Sequence, residues 1–183
     1  MYKQLDSMET KGRPTVISLF TGAMGLDLGF EMEGFDIRVT LDNNKDVIET
    51  IIKNRPSIRL IGRDILKVKT SEILDKARLR VGEATIVTGG SPCQPFSTAG
   101  RRLSVEEKGQ LVFQFLRVVK ETQPRFFLFE NVSGILSAAR KHISFYTRID
   151  KKKEELAPKE RLGSAFDRIL EEFEKVRTSD GSS

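Results

Sequence analysis

The 183-residue chain contains only one cysteine, Cys93, and one histidine, His142. A single cysteine excludes an internal disulfide and a zinc site built from several cysteines, and a single histidine argues against a histidine-rich metal site. We therefore expect no bound metal. The sequence also lacks internal repeats and any apolar run long enough to span a membrane, and it starts with the polar segment MYKQLDSMETKGRP, so we expect a cytoplasmic protein.

The charge of the chain is weakly basic. Its net charge is +5, from 31 Lys and Arg residues against 26 Asp and Glu residues, and its pI is near 9.4. This excess suits a polyanionic partner, but many proteins carry a similar excess on a solvated surface. Charge alone therefore does not identify the partner.

Apolar, β-branched runs alternate with helical periodicity along the first 133 residues. The runs predict strands over 15–20, 35–42, 58–64, 84–90 and 125–132. The periodicity predicts a helix after the first glycine-rich turn and further helices over 45–54, 70–79 (capped by Thr70 or Ser71) and 109–123. This alternation predicts an α/β fold with a doubly wound, mostly parallel sheet that is covered on both faces, and such sheets bind ligands outside the carboxyl ends of their strands.

The pattern weakens after residue 133, where we expect the sheet to be incomplete at its C-terminal side. Residues 148–163 are charge-dense and predict a solvated linker, and residues 177–183 predict a flexible tail. Between them, residues 164–176 predict an amphipathic helix that completes the domain, with an apolar face made of Phe166, Ile169, Leu170 and Phe173. The remaining segments are a polar extension over 1–14 and a ligand-binding domain over 15–147.

A glycine-rich segment, TGAMGLDLGF, follows the first strand. Its glycines allow backbone N–H groups to approach a ligand closely. Asp42 ends the second strand, 17 residues after Gly25, where an acid suits ribose hydroxyls, and Asp64 ends the third strand, where it could meet an adenine amino group. These residues indicate an adenosine-containing cofactor. The pattern G-x-G-x-x-G is absent, which counts against a nicotinamide oxidoreductase, and a purely structural turn with a solvated Asp42 is the alternative.

The segment GGSPCQPFS, residues 89–97, places Cys93 in a rigid loop after the fourth strand. The fifth strand ends in Glu130, and neighbouring parallel strands would bring this acid beside Cys93. A thiolate and a partly shielded carboxyl suit addition to an electron-poor ring, in which the acid binds or protonates a ring nitrogen. The alternatives are a buried structural cysteine and an ion pair between Glu130 and Arg125.

The segments SLFTGAMGLDLGF, GGSPCQPFSTAG and FENV, in this order, resemble the DNA (cytosine-5-)-methyltransferase family over about residues 15–133. The resemblance implies the Rossmann-like fold of S-adenosylmethionine-dependent methyltransferases. It also implies S-adenosyl-L-methionine as the methyl donor and a cytosine flipped out of double-stranded DNA as the acceptor. Transfer RNA stays open as an alternative acceptor.

The resemblance assigns roles to individual residues. Cys93 resembles the nucleophile that attacks carbon 6 of cytosine, and Glu130 resembles the acid that engages N3 and the exocyclic amine. Pro92 and Gln94 would shape the cysteine loop, and Asn131 would steady that loop or Glu130. The implied cofactor-binding positions are Phe20, Gly22, Met24, Gly25, Leu26, Asp42, Asn43, Asp64, Ile65 and Leu111, and the nucleic-acid contacts are Ser97, Arg101 and Arg102.

The sequence departs from the family pattern in three ways. Met24 occupies a position where the family usually has glycine, and Lys108 one where arginine is common. The Gln-x-Arg-x-Arg motif and the target-recognition region are missing. We therefore expect a half-enzyme of a restriction-modification type that works with a second polypeptide, and an inactive nucleic-acid or cofactor-binding relic is the alternative.

Overall fold

The strands in the described part of the protein run parallel to one another. The computed structural model describes residues 12–92, 110–139, 151 and 155–176. Within these residues, five parallel strands pair in the order β3-β2-β1-β4-β5. Their bounds are β1 Thr15–Leu19, β2 Asp36–Leu41, β3 Leu60–Ile61, β4 Ile86–Gly90 and β5 Phe126–Glu130.

Strand β1 lies at the centre of the sheet, between β2 and β4. Its apolar side chains Val16, Ile17 and Leu19 are fully buried, which explains why its sequence is continuously apolar instead of alternating. The chain runs outward from β1 through β2 to β3 and then returns to β4 on the other side. The strand order therefore reverses beside β1, and ligands of doubly wound sheets bind at such a reversal.

Five α-helices connect or flank the strands in the described part of the chain. They are α1 Gly25–Met32, α2 Lys45–Asn54, α3 Thr70–Ala77, α4 Gln110–Thr122 and α5 Ser164–Glu174. Asn44 caps α2, because its side-chain oxygen accepts a hydrogen bond from the backbone N–H of Asp46 at 2.9 Å.

The predicted cap of α3 is wrong. Lys69 is the cap residue, and the Glu72 carboxylate accepts a hydrogen bond from its backbone N–H at 2.9 Å. Thr70 lies in the first turn of the helix, where its hydroxyl accepts a hydrogen bond from Arg117 Nη1 at 2.7 Å. The hydroxyl is engaged by α4 and is not needed to cap its own helix.

The prediction that both faces of the sheet are covered is wrong for β5. Phe115 of α4 is fully buried against Phe129, and Phe127 stacks on Phe173 of α5 with ring centroids 4.9 Å apart. Even so, Phe126, Phe127 and Leu128 are 66%, 43% and 41% exposed. The cause is the position of β5 at the edge of the sheet, where α4 and α5 cover only part of it. Leu170, predicted on the apolar face of α5, is 43% exposed.

The predicted α/β fold with a parallel, doubly wound sheet is confirmed. The described residues contain no helix with the length and apolarity that crossing a membrane requires. Residues 1–11 of the predicted extension and the predicted tail lie outside the described residues, and the division into segments stays a prediction.

Candidate active site

Predicted site residues lie side by side along the edge formed by the carboxyl ends of the strands. In the order of the sheet, Asp64 follows β3, Asp42 follows β2, Gly22 follows β1, Pro92 follows β4 and Glu130 ends β5. The parallel register makes this possible, because Leu19 pairs with Leu41 on one side and with Gly89 on the other. The loop after β1 therefore stands between the two acids and the cysteine segment.

The loop after β1 has an unusual backbone. Phe20, Gly22 and Met24 have φ angles of 53°, 55° and 66°, all in the left-handed region. Residues other than glycine, Asn and Asp rarely adopt this backbone region. Where they do, they are often found at functional sites. Met24 thus takes the backbone conformation that a glycine adopts easily, and its side chain is only 3% exposed. Gly25 then begins α1, and Leu26 is exposed in its first turn.

Hydrogen bonds fasten this loop to the end of β2. The Thr21 N–H donates to the Leu41 carbonyl, and the Leu41 N–H donates to Thr21 Oγ1, both at 3.2 Å. The Gly22 N–H donates to Asp42 Oδ2 at 2.9 Å, and Asp42 Oδ1 accepts a hydrogen bond from the Asn44 N–H at 2.9 Å. A carboxylate oxygen has a second lone pair, so Asp42 can still accept hydrogen bonds from two vicinal hydroxyls.

Asp64 occupies the corresponding place on the next strand. Its Oδ1 accepts a hydrogen bond from the Leu66 N–H at 3.0 Å and so begins the short 3₁₀ turn Ile65–Lys67. The Ile65 side chain is buried in the core, whereas Asn43 is exposed beside Asp42. On α4, Leu111 is partly buried and packs against the core.

These donors and acceptors fit S-adenosylmethionine by their chemistry. A ribose needs acceptors for two hydroxyls, an adenine amino group needs a further acceptor, and a close-approaching backbone suits the amino-acid end of the molecule. Along the edge, Asp64 after β3, Asp42 after β2 and the loop from Phe20 to Met24 after β1 follow one another in that spatial order. These three parts of the candidate cofactor site thus lie next to one another on the β1–β3 side of the edge.

Glu130 and Gly90 form the other side of the edge. They are directly paired across β4 and β5. A Cβ atom placed on Gly90 would overlap Oε2 of Glu130, so the carboxylate lies directly over the glycine backbone. Because glycine has no Cβ, it leaves this space free, and the Glu130 side chain reaches across to β4. Within the described part of the chain, Glu130 makes no ion pair with Arg125, the alternative that the sequence left open.

Asn131 ties the end of β5 to the start of the cysteine loop. Its Nδ2 donates to the Ser91 carbonyl and contacts Ser91 Oγ, both at 3.1 Å. Its Oδ1 accepts a hydrogen bond from the Val132 N–H at 2.9 Å, which orients the amide. Ser91 is buried, and exposed Pro92 follows it directly. The predicted site residues Cys93, Gln94, Ser97, Arg101 and Arg102 lie outside the described residues.

Sequence reasoning did not assign three of the residues that shape this edge. In the sequence, Gly90 is one of two consecutive glycines, and Thr21 is a polar residue in a glycine-rich loop. Neither pattern indicates the role that the residue has in the structure. Asp27 gave no signal, because an acid within the segment GLDLGF looks like an exposed helix position. No periodic pattern distinguishes an acid that is buried by its neighbours from one that faces water.

Asp27 is in fact buried, with 1% of its surface exposed. Neither carboxylate oxygen has a hydrogen-bond partner among the described residues. Burial raises the pKa of Asp27 from 3.8 to about 6, since a charged carboxylate is disfavoured away from water. The Ser18 hydroxyl nearby opposes this rise in pKa, although its hydrogen bond, at 3.2 Å, is made with Thr21.

The sequence matches the family model of C-5 cytosine-specific DNA methylases over residues 14–156. It is 41% identical over 123 residues to the type II methyltransferase M.AquIA of Picosynechococcus, a match that covers 67% of this chain and 50% of the relative. It is 40% identical over 135 residues to the type II methyltransferase M.NgoPII of Neisseria gonorrhoeae, covering 73% of this chain and 38% of the relative. The chain thus spans half or less of the length of these relatives.

Solved structures give the same fold. A crystal structure described as a DNA modification methyltransferase encoded within an Escherichia coli prophage matches with a TM-score of 0.56 and 33% identity, over 67% of this chain and 33% of that chain. The Dnmt2 methyltransferase of S. pombe matches with a TM-score of 0.50 and 23% identity, over 67% of this chain and 37% of that chain. The second likeness supports the fold alone.

The first prediction concerns the buried acid. The folded protein binds the Asp27 proton more tightly than the unfolded chain does, so the native protein loses stability as the pH rises from about 4 to about 6. Asp27→Asn carries no such charge and should therefore be more stable than the native protein at pH 8, on the order of 1–3 kcal/mol, because one pKa unit corresponds to about 1.4 kcal/mol. Urea denaturation at pH 4 and pH 8 measures the difference.

The control is Asp75→Asn, which changes an exposed aspartate on α3. We expect this variant to change the free energy of unfolding by less than about 0.5 kcal/mol at either pH. An Asp27→Asn protein that is less stable than the native protein at pH 8 would show that the carboxylate has a favourable partner.

Proposed function

Because the chain belongs to the family of C-5 cytosine-specific DNA methylases, we propose that it is the catalytic part of an enzyme that methylates carbon 5 of cytosine in double-stranded DNA. The proposal rests on the Glu130 carboxylate lying over Gly90, while Asn131 holds Ser91, two residues before Cys93. This arrangement places an acid beside the root of the segment that carries the thiol. The type II names of the relatives favour a role in restriction-modification.

In the proposed reaction, the Cys93 thiolate adds to carbon 6 of the target cytosine. Glu130 engages N3 and the exocyclic amine, and so favours the electron pair that develops in the ring and makes carbon 5 nucleophilic. Carbon 5 then takes the methyl group, a base removes the proton from carbon 5, and the bond between sulfur and carbon 6 breaks to release the thiolate. The family resemblance gives Pro92 and Gln94 the role of positioning the thiol.

S-adenosylmethionine supplies an electrophilic methyl group on a sulfonium. Asp42 would accept hydrogen bonds from its ribose hydroxyls, Asp64 would accept one from the adenine amino group, and the loop from Phe20 to Met24 would hold the amino-acid end. The hydrogen bond from Gly22 N–H to Asp42 supports this assignment, because it fixes the ribose acid and the loop relative to each other. Leu111 on α4 would line the same pocket.

The target base has to leave the duplex to reach the thiol, which costs a few kcal/mol of stacking and pairing energy. Ser97, Arg101 and Arg102 follow the cysteine in sequence and are the proposed contacts to the DNA backbone. We infer a cytoplasmic location from this substrate. Transfer RNA remains a second candidate acceptor, because the contacts proposed for Cys93 and Glu130 are to the cytosine ring, which DNA and RNA share.

We also propose that a second polypeptide completes the enzyme and supplies the target-recognition region. The open edge of β5 supports this, because an edge strand with exposed apolar side chains is a surface for pairing with another strand. Phe126 is 66% exposed there, and further exposed apolar side chains, Leu136 and Leu162, follow it in sequence. The relatives contain the additional length that such a partner would provide.

The inactive relic is the competing function. It predicts no heat in calorimetry with S-adenosylmethionine, whereas our proposal predicts measurable binding. Met24 is the residue that favours this alternative, because it has a side chain at a position where the family usually has glycine. Met24 nevertheless adopts the backbone conformation that glycine takes easily, and its side chain is buried.

The function is tested by transfer of a labelled methyl group from S-adenosylmethionine to duplex DNA. The chain together with a polypeptide that supplies the remaining part of the Neisseria gonorrhoeae relative should methylate DNA, and Cys93→Ser should abolish transfer. Glu130→Gln should lower the rate about 100-fold or more, as the loss of an acid that acts on the reacting ring does. Full activity of Cys93→Ser would contradict the mechanism, and sequence-specific methylation by the isolated chain would contradict the need for a partner.

Gly90→Ala tests the place of the Glu130 carboxylate. The new methyl group overlaps only the far end of a flexible side chain, so the fold should tolerate it while the carboxylate moves away. We expect the methyl-transfer rate to fall at least about 10-fold, which is a change of roughly 1.4 kcal/mol in the barrier, with the melting temperature nearly unchanged. Gly89→Ala is the contrasting variant, because its Cβ would lie 2.5 Å from the backbone oxygen of Leu19 and should destabilise the protein. Unchanged activity of Gly90→Ala would show that Glu130 acts from elsewhere.

Phe126→Glu tests the partner surface. A charge at this exposed edge position should prevent binding of the complementary polypeptide, since burying an unpaired charge in an interface is costly. Met32→Glu is the matched control, because Met32 on α1 is also apolar and is even more exposed than Phe126, at 86%. Copurification and restored methyl transfer should be lost for Phe126→Glu and kept for Met32→Glu, and equal behaviour of the two variants would argue against β5 as the contact.

A further inference from the structure

Arg117 connects helix α4 to the turn that follows Asp64. Its guanidinium reaches from α4 to the 3₁₀ turn Ile65–Lys67. The Nη2 group donates a hydrogen bond to the Ile65 carbonyl at 3.2 Å and another to the Val68 carbonyl at 3.0 Å. One carbonyl belongs to the first residue of the turn and the other to the residue after it, so a single side chain spans the whole turn.

The other nitrogens of the Arg117 guanidinium are engaged as well. Nη1 donates to Thr70 Oγ1 on α3, and Nε donates to Gln114 Oε1, both at 2.7 Å. Nη1 also lies 3.6 Å from a carboxylate oxygen of Glu121, one turn further along α4. The Arg117 side chain is only 26% exposed, and hydrogen bonds that are shielded from water are electrostatically stronger. The guanidinium is therefore held in one place by α3, α4 and the turn.

Asp64 needs such an anchor because the strand before it is short. β3 has two residues and lies at the edge of the sheet, so it pairs on one side only. Beyond it, Asp64 Oδ1 accepts a hydrogen bond from the Leu66 N–H at 3.0 Å, and the Asp64 carbonyl accepts one from the Lys67 N–H at 2.9 Å. The direction of the Asp64 carboxylate thus depends on the turn, and Arg117 holds the turn.

Apolar packing and the guanidinium hold this turn in different ways. The side chains of Ile65 and Val68 are buried in the core, but apolar packing has no preferred direction. Hydrogen bonds to the two carbonyls fix the orientation of the backbone. Arginine suits this task because its planar fork presents several donors in fixed directions, whereas a lysine ammonium is a compact point charge.

We propose that Arg117 is a positioning residue for the adenine end of the cofactor, because it locks the turn after Asp64 to α4. The inference rests on the proposed function, which assigns the adenine amino group to Asp64 and places Leu111 of α4 in the same pocket. Arg117 acts through Asp64 and makes no contact with the cofactor itself. It fixes the two sides of the pocket that Asp64 and Leu111 form relative to each other.

The first test measures amide hydrogen exchange of the isolated chain by nuclear magnetic resonance. Arg117→Met keeps the length of the side chain but removes its donors, and Arg117→Lys is a milder variant that keeps the charge. Exchange at the Leu66 amide should become about 10-fold faster or more in Arg117→Met, through local opening of the turn, and should change less in Arg117→Lys. The Leu41 amide, which donates to Thr21, should exchange at its native rate.

Lys120→Met is the matched control, because Lys120 is an exposed cation on the same helix. It should change the exchange rate of neither amide. Equal acceleration at Leu41 and Leu66 in Arg117→Met would show a general loss of stability, and native exchange at Leu66 would show that the turn holds without the guanidinium. Either result would overturn the proposal.

The second test measures binding of S-adenosylmethionine by calorimetry. Arg117→Met should weaken binding about 5-fold or more, both in the native chain and in the Asp42→Asn variant, since residues that do not act through each other have additive effects. In the Asp64→Asn variant it should weaken binding less than about 2-fold, because the acid through which Arg117 acts is already lost. Lys120→Met should bind the cofactor as the native chain does.

These measurements separate the role of Arg117 from the proposed function. An equal effect of Arg117→Met in the native, Asp42→Asn and Asp64→Asn chains would contradict the positioning role and leave the proposed function intact. A native chain that binds no S-adenosylmethionine would contradict the proposed function and, with it, the cofactor role of Arg117.

Discussion

The parallel pairing of β1 with both β2 and β4 is the constraint on which the site depends. It brings the carboxyl ends of three strands level, so that the loop after β1 meets Asp42 on one side and the cysteine segment on the other. The close approach of β4 to β1 requires glycine, since a Cβ on Gly89 would lie 2.5 Å from the Leu19 oxygen. The glycines before Ser91 are therefore needed for the close packing of the strands as well as for the turn by which the chain leaves β4.

The two halves of the edge are held by different means. On the cofactor side, side chains accept hydrogen bonds from backbone N–H groups. Thr21 Oγ1 accepts one from Leu41, and Asp42 Oδ2 accepts one from Gly22. On the catalytic side, the space left by Gly90 admits the Glu130 carboxylate, and Asn131 holds Ser91. Each hydrogen bond contributes only about 1 kcal/mol to stability, so their main effect is to position the groups. The strength of the fold itself comes from the buried apolar strands.

The sequence predicted the elements of the fold because continuous apolar runs and helical periodicity report burial directly. Asp42, Asp64 and Glu130 could be placed at one edge by topology alone, since parallel strands end on the same side. The exposure of β5 could not be predicted, because FFLF reads as a fully covered strand wherever it lies in the sheet. The sequence did not predict Lys69 as the cap of α3 or Asp27 as a buried acid. Both features depend on which neighbouring elements contact or cover these positions. The role of Cys93 stays a prediction.

The strained loop after β1 and the buried acid in the helix that follows it both oppose folding. Phe20 and Met24 persist at positive φ only because surrounding interactions outweigh a cost of order 1–3 kcal/mol for each residue. Those interactions include the hydrogen bonds of Thr21 and Gly22 to the end of β2. Asp27 opposes folding in its charged form, because burial disfavours the carboxylate above a pH of about 6. The loop is held against its backbone strain by the hydrogen bonds to β2, whereas Asp27 is held in place by the packing that buries it.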